Sequence, residues 1–429
     1  MPVPASWAPL VPLLAVVVLL AVPPGEDGGG GSGTPADLAS AVLVAFCLVR
    51  VVRARARPLD RVAAVVLGLP AVGVCAAAVT AHDPVGALPG VVRYLQVFVL
   101  VPAAVVLLVR DRRDFARVGW ALIGLALVEG AVGVVQYATG TGASYQGEDV
   151  RAVGTFGPTD VMGMATVVAY GLVAALGIAL GAPDRRARAA AGVCCGLLLP
   201  PLAVSFSRGA WIATVVACGL QLALSGVRRA VRTGLAAAAL GVVLVAGCGV
   251  GSRMLEERVT SISRVAAAPD QSVTDRYALW AAAGSMWRDE PVTGVGLKGF
   301  PHYRDGHASL ALSSGSDTAG AGHAFTRQPL LSPHNMYLLV LAEQGLLGVL
   351  TLVGSWLALL VCALRRSPPA GAFDCRLIAA GLLVWQLVDF AYADIGGPST
   401  VLTAVVLGLA ARWALGPGLM AGGTVAARG

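Results

Sequence analysis

Arg110-Asp-Arg-Arg-Asp-Phe-Ala-Arg117 runs directly into Val118-Gly-Trp-Ala-Leu-Ile-Gly-Leu-Ala-Leu-Val-Glu-Gly-Ala-Val-Gly-Val-Val-Gln-Tyr137. The second piece is twenty residues long and carries one charge, Glu129. A bilayer core is crossed by roughly 20 helical residues, and every backbone polar group inside it must be satisfied within the segment. The second piece therefore reads as a spanning helix. The basic piece before it marks the cytoplasmic end, because Arg and Lys accumulate in cytoplasmic loops.

The same pattern recurs in both directions. Twelve spans are expected, at 7–22, 36–52, 62–80, 91–109, 118–137, 159–181, 190–206, 210–225, 231–251, 335–364, 377–393 and 400–415. The basic loops at 50–61, 110–117, 185–188, 228–232 and 365–376, with the adjoining Asp184 and with Arg412 and Arg428, hold 20 Arg against 5 Asp. The alternate loops hold ten Arg and Lys298 against 16 acids. Such a one-sided division places both termini in the cytoplasm. Residues 1–22 have no positive leader before their apolar run and read as a retained first helix. One outer segment, 252–334, is far longer than a connection needs, and such loops are functional or disordered. Within it 275–287 reads as an amphipathic helix and the Ser- and Gly-rich 308–322 as flexible.

Composition agrees. Hydrophobic residues are 57% and charged residues 13% of the chain, too few charges to solvate a globular surface. The net charge of +7 resolves into the cytoplasmic loops, so no nucleic-acid partner is expected. Seven of the eight cysteines fall in apolar stretches and none in the long loop. Neither a disulfide framework nor a zinc site is expected.

Three residues invite a chemical reading. Arg208 lies on the outer side, against the positive-inside bias, at the first turn of the next helix. An Arg fork beside a helix N-terminus suits a phosphate; the alternative is an interfacial arginine reaching to headgroups. Arg276 lies on the loop helix, where an ion pair with Asp275 or a solvated face is the competing reading. His334 follows Pro333 at a helix entrance. It can accept a proton from a sugar hydroxyl, or it is simply a helix-capping or interfacial histidine. Glu343, nine residues on, falls on the opposite helix face roughly 13 Å deeper, so it is no orienting partner for His334 along one helix. Glu129, Glu343 and Asp389 read as buried partners of other helices, and Arg93 stands near the outer end of its span.

In order along the chain, Gly154-Thr-Phe-Gly157, Ser207-Arg-Gly-Ala-Trp211, Arg276 with Trp280, Pro291-Val-Thr-Gly-Val-Gly296 with Phe300, Pro333-His-Asn-Met-Tyr-Leu338 and Glu343-Gln-Gly345 resemble the O-antigen ligase and polymerase superfamily of bacterial membrane glycosyltransferases. The resemblance runs from about 118 to 364. It implies an all-α integral membrane fold of the C-type glycosyltransferase kind, in which helices 1–9 occupy 1–251. A large extracytoplasmic loop with its helix follows at 252–332, and helices 10–12 with a cytoplasmic C-terminus fill 333–429. It implies a metal- and cofactor-independent enzyme of the plasma membrane. The donor is a glycan on a polyprenyl (undecaprenyl) diphosphate and the acceptor a hydroxyl of a glycan, lipid or protein, with membrane lipid around. By motif, Arg208 and Arg276 hold the diphosphate and His334 meets the acceptor. Arg93, Asn335 and Tyr337 complete the expected substrate-binding set. A transporter or lipid-linked glycan flippase is the alternative of another class, and it predicts repeats that the sequence does not display.

Overall fold

The computed structural model describes residues 8–23, 34–54, 59–145, 148–229, 231 and 271–417. The expected span at 231–251, apart from its first residue, and the opening of the long loop at 252–270 lie outside the described residues.

Helices dominate. The first, α1 (Val11–Leu19), covers only nine residues of the expected span at 7–22. Next come α2 (Pro35–Ala54) and α3 (Arg61–Val79), then α4 (Pro84–Leu95), which continues through a π turn (Gln96–Leu100) into α5 (Val101–Leu108). After these stand α6 (Arg112–Thr139), α7 (Gly163–Gly181), α8 (Arg185–Val204) and α9 (Arg208–Ser225). The long loop contributes α10 (Gln271–Asp289) and α11 (Phe300–His307). The C-terminal part holds α12 (Met336–Gly348), a π turn, α13 (Gly354–Arg365), α14 (Phe373–Asp389) and α15 (Thr400–Leu415). Eight helical segments among the described residues are long and apolar enough to cross a membrane, taking α4–α5 and α12–α13 as one span each. The chain is a predominantly helical, multi-pass membrane protein.

Capping explains several starts. Asp60, Asp111 and Asp184 accept hydrogen bonds from the first-turn amides of α3, α6 and α8, the usual use of an N-cap aspartate. Packing explains the centre. Of the most apolar window of α7, 94% is buried, with α6, α8 and α14 against it. Gly171 and Gly177 let the backbones close in: a Cβ at Gly171 would stand 2.2 Å from the Ala126 methyl. At the end holding the basic loops, Arg112 pairs with Asp374. Asp114 accepts from Arg110 at 2.7 Å and Arg117 at 2.8 Å.

The opposite end is not wholly helical. Strands β1 (Ala143–Tyr145), β2 (Glu148–Arg151), β3 (Ser316–Gly320) and β4 (His323–Gln328) form an antiparallel sheet in the order β2-β1-β3-β4. The stretch expected to be flexible thus supplies a strand. Its Thr318, Ala319 and Gly320 pair with Tyr145, Ser144 and Ala143 across more than 170 residues of chain. Short strands of this kind are set by partners distant in sequence, so local composition does not reveal them.

Two of the sequence motifs prove to be one structure. Inside α12 the backbone breaks at Gly345 (φ 60, ψ −158). The segment at 291–295 fills the break: Leu346 N donates to Pro291 O at 2.9 Å, Leu347 N to Val292 O at 3.1 Å, and Val295 N to Ala342 O at 2.9 Å. A break inside a helix survives only where its freed backbone groups are met in this way. Glu343 Oε1 accepts from Phe300 N at 3.2 Å, tying the next turn down. Glu129 likewise accepts from Thr155 N at 2.9 Å and Thr155 Oγ1 at 2.8 Å. Glu129 is thus a loop anchor, whereas Glu343 is a buried partner of another helix, holding the first amide of α11.

The contact is too close for a side chain. A Cβ at Gly294 (φ +67) would lie 2.5 Å from Ala342 O, and one at Gly345 (φ +60) 2.4 Å from Val292 O. Gly294→Ala and Gly345→Ala should each cost about 2–4 kcal/mol through left-handed strain and overpacking. Thermal unfolding in detergent reads this as a lowered midpoint, against Gly124→Ala, whose Cβ meets nothing within 4 Å.

Candidate functional site

Asn335, not His334, caps α12: its Oδ1 accepts from Leu338 N at 3.1 Å. The capping alternative for the histidine is therefore removed. His334 sits one residue earlier with φ 48, a left-handed conformation that costs a non-glycine residue energy and persists only where the surroundings impose it. The surroundings are visible. Trp280 of α10 donates its indole N–H to Pro333 O at 2.9 Å. Met336 N donates to Phe390 O at 2.8 Å and Ala393 O at 3.0 Å. Asn335 Nδ2 donates to Ala391 O at 3.1 Å and Tyr337 Oη to Leu387 O at 2.6 Å. The histidine loop is thus clamped between the loop helix and the turn that leaves α14.

That turn, residues 389–400, is where the elements meet. Gly209, in the first turn of α9, abuts Tyr392: a Cβ there would lie 3.2 Å from the tyrosine Cβ. Arg208, which opens α9 behind the Ser207 cap, is thereby brought to the same turn. Arg93 pairs with Asp37 and donates to Gln96 Oε1 at 3.0 Å and Gly397 O at 3.1 Å. Asp160, from the loop before α7, accepts from Ser399 N at 3.2 Å.

The electrostatics bring His334 and Arg276 into one field. Enclosure of the imidazole lowers its pKa below the ordinary 6.5; Asp394 opposes that shift and Arg276 adds to it. Asp275 is otherwise engaged, accepting from Gln271 Nε2 at 2.8 Å, Ser313 N at 2.8 Å and Ser313 Oγ at 2.7 Å. Beside the histidine loop a cavity of about 60 Å³ is lined by Asp160, Gln386, Asp389, Asp394, Ser399 and Thr400 among others. Asp389 Oδ1 and Asp394 Oδ2 are buried there without a hydrogen-bond partner among the described residues.

The structure therefore brings His334, Arg276 and the α9 end bearing Arg208 to one turn. Asn335 and Tyr337 join them as holders of that turn, their polar atoms taken by backbone amide and carbonyl groups. Arg93 stands at its far edge, already ion-paired. Sequence reasoning missed Asp394 and Asp160 and gave Asp389 a purely structural part. The signal was modest: two acids five residues apart at the exit of a span, followed by Gly396-Gly397-Pro398.

Residues 193–353 match the family model described as O-Antigen ligase. The matched segment takes in Arg208, Arg276 and His334, together with the paired motifs at 291–296 and 343–345. Over that stretch the chain is similar to O-antigen ligases, and the similarity read from the motifs holds. It supports membrane glycan transfer as the class of activity. No curated protein matches the chain.

Proposed function

We propose that this membrane protein transfers a glycan from a polyprenyl diphosphate to an acceptor hydroxyl on the outer side of the membrane. The observation that carries the reading is the meeting of the His334 loop, Arg276 and the α9 N-terminus at residues 389–400. Arg208 and Arg276 bind the diphosphate. The acceptor oxygen attacks the anomeric carbon, the bond from that carbon to the diphosphate oxygen breaks, and the carrier diphosphate leaves with the electron pair. His334 takes the hydroxyl proton. Two guanidinium groups aimed at the leaving group stabilise charge that grows as the bond breaks, which accelerates the step rather than merely tightening binding. The segment at 252–332 forms the outer loop of the site, between helices at 1–251 and 333–429.

The lowered pKa of His334 keeps the imidazole neutral, and able to accept a proton, at neutral pH. Activity is lost as pH falls through that lowered value. Asp394 favours the imidazolium, so Asp394→Asn lowers the histidine pKa further and moves the acid limb of kcat/KM to lower pH. Arg276→Ala moves the limb to higher pH in whatever activity remains. Proteoliposomes loaded with lipid-linked glycan test both claims. Carrier diphosphate should appear in equal amount to transferred glycan, and the limbs should move in opposite directions. Transfer without carrier diphosphate release, or limbs that do not move, would overturn the reading.

A further inference from the structure

The mechanism leaves one face of α10 unused. With ~100° between successive residues, Ala278, Leu279, Ala282, Ala283 and Met286 cluster on one side, and all are buried. Tyr277, Trp280, Ala281, Gly284, Trp287 and Arg288 fall within roughly 120° on the other side. Tyr277 is 51% exposed and meets Trp280 edge-on, ring centroids 5.8 Å apart. Both indole N–H groups are met by backbone carbonyls, Trp280 by Pro333 O at 2.9 Å and Trp287, at the exposed end, by Pro291 O at 3.3 Å. Their rings are thereby fixed while their hydrogen-bonding needs are met within the protein. Between them Gly284 leaves a gap: a Cβ there would meet only an Arg288 guanidinium nitrogen, at 3.9 Å.

We propose that this face is a stacking track for the pyranose rings of the carrier-linked glycan, beginning at Trp280 and ending at Trp287; the proposal rests on the diphosphate site read above. The occupant follows from position and charge. Arg276 lies one helical turn before Trp280, on the same edge of the face. A diphosphate held by Arg276 delivers its attached sugars onto the rings that follow. Trp280 and Trp287 are separated by ~10 Å along the helix, room for a short run of sugars. One side of a pyranose presents C–H groups to the negative face of an aromatic ring, and stacking of this kind reads ring shape rather than one hydroxyl pattern. A membrane-surface role suits the face less well. Interfacial helices bury a broad aliphatic face, and from Tyr277 to Arg288 this one has no Leu, Ile, Val or Phe, only rings separated by Ala281 and Gly284 and closed by Arg288.

The test uses two donors in proteoliposomes: the full lipid-linked glycan accumulated by cells lacking this chain, and a synthetic carrier diphosphate bearing only its first sugar. Apparent affinity is measured for each as substrate or as competitor. Trp287→Ala should weaken the full donor about 3- to 10-fold, the scale of an aromatic contact, with kcat within about twofold, and should weaken the one-sugar donor distinctly less. Gly284→Phe, which fills the gap without removing a contact, should act in the same direction. Equal effects on both donors, or none on either, would refute the track while leaving the diphosphate site standing. Quenching of Trp287 fluorescence by brominated phospholipid, taken as the difference between wild type and Trp287→Phe, would instead assign the face to the membrane. Absence of transfer by the wild-type chain itself, with both donors, would remove the proposed function and not merely the track.

Discussion

Glycan transfer by a His334→Ala variant falls by ~10²-fold or more, the usual scale for a lost general base, while binding of the lipid-diphosphate donor stays nearly intact. The expectation comes from position. His334 shares an electrostatic environment with Arg276 and Asp394, yet α12 is capped by Asn335, so the imidazole is not needed to start the helix. Removing it therefore changes chemistry more than folding, and Asn335 can hold the loop. His334→Gln separates two roles. Glutamine hydrogen-bonds but takes up no proton near neutral pH. If it retains most of the transfer activity, His334 orients the acceptor and another group receives the proton, with Asp394, whose charge acts on His334, the candidate. Wild-type rates in both variants would move the active site elsewhere. Collapse of donor binding in both would put His334 in the diphosphate pocket.

Arg208→Lys, which keeps the charge, should lose transfer by ~10²-fold, comparable to losing one preorganised donor to a developing oxyanion. Lysine is a point charge and cannot fork across two phosphate oxygens. Arg208 opens α9, where amide N–H groups add to the pull on an anion, and Gly209 packs on Tyr392 in the turn that also holds the histidine loop. Arg276→Ala should be as severe. Arg327→Ala, on β4 with a 3.7 Å pair to Asp317 and 56% of its side chain exposed, should stay close to wild type because exposed pairs of this kind contribute little. The measurement is initial rate with donor saturating and again far below KM. Normal rates in Arg208→Ala with normal insertion would reduce the arginine to an interfacial anchor.

Much of the membrane architecture was legible in the chain itself. Apolar runs with basic loops between them located most of the eight candidate spans. For the segment at 118–137 the helix that forms, Arg112–Thr139, also absorbs part of the basic loop. The reason is physical. Hydropathy is a property of a contiguous segment, and in lipid a helix satisfies its own backbone, so each span is decided locally. Arg208 and His334 stood out as candidates for a similar reason, since each breaks a local expectation about charge or polarity at a helix entrance.

What the chain did not disclose lies in contacts between distant segments. The sheet joins residues 143–151 to 316–328. The motif at 291–296 and the motif at 343–345 looked like separate signatures, yet one fills the helix break made by the other. Asp160 and Asp394 drew no reading from the sequence, and the fold sets them, with Asp389, around one cavity. Each of these depends on backbone groups or carboxylates finding partners far away in sequence. Hydrogen bonding and burial are settled by three-dimensional neighbours, and no window of sequence contains them.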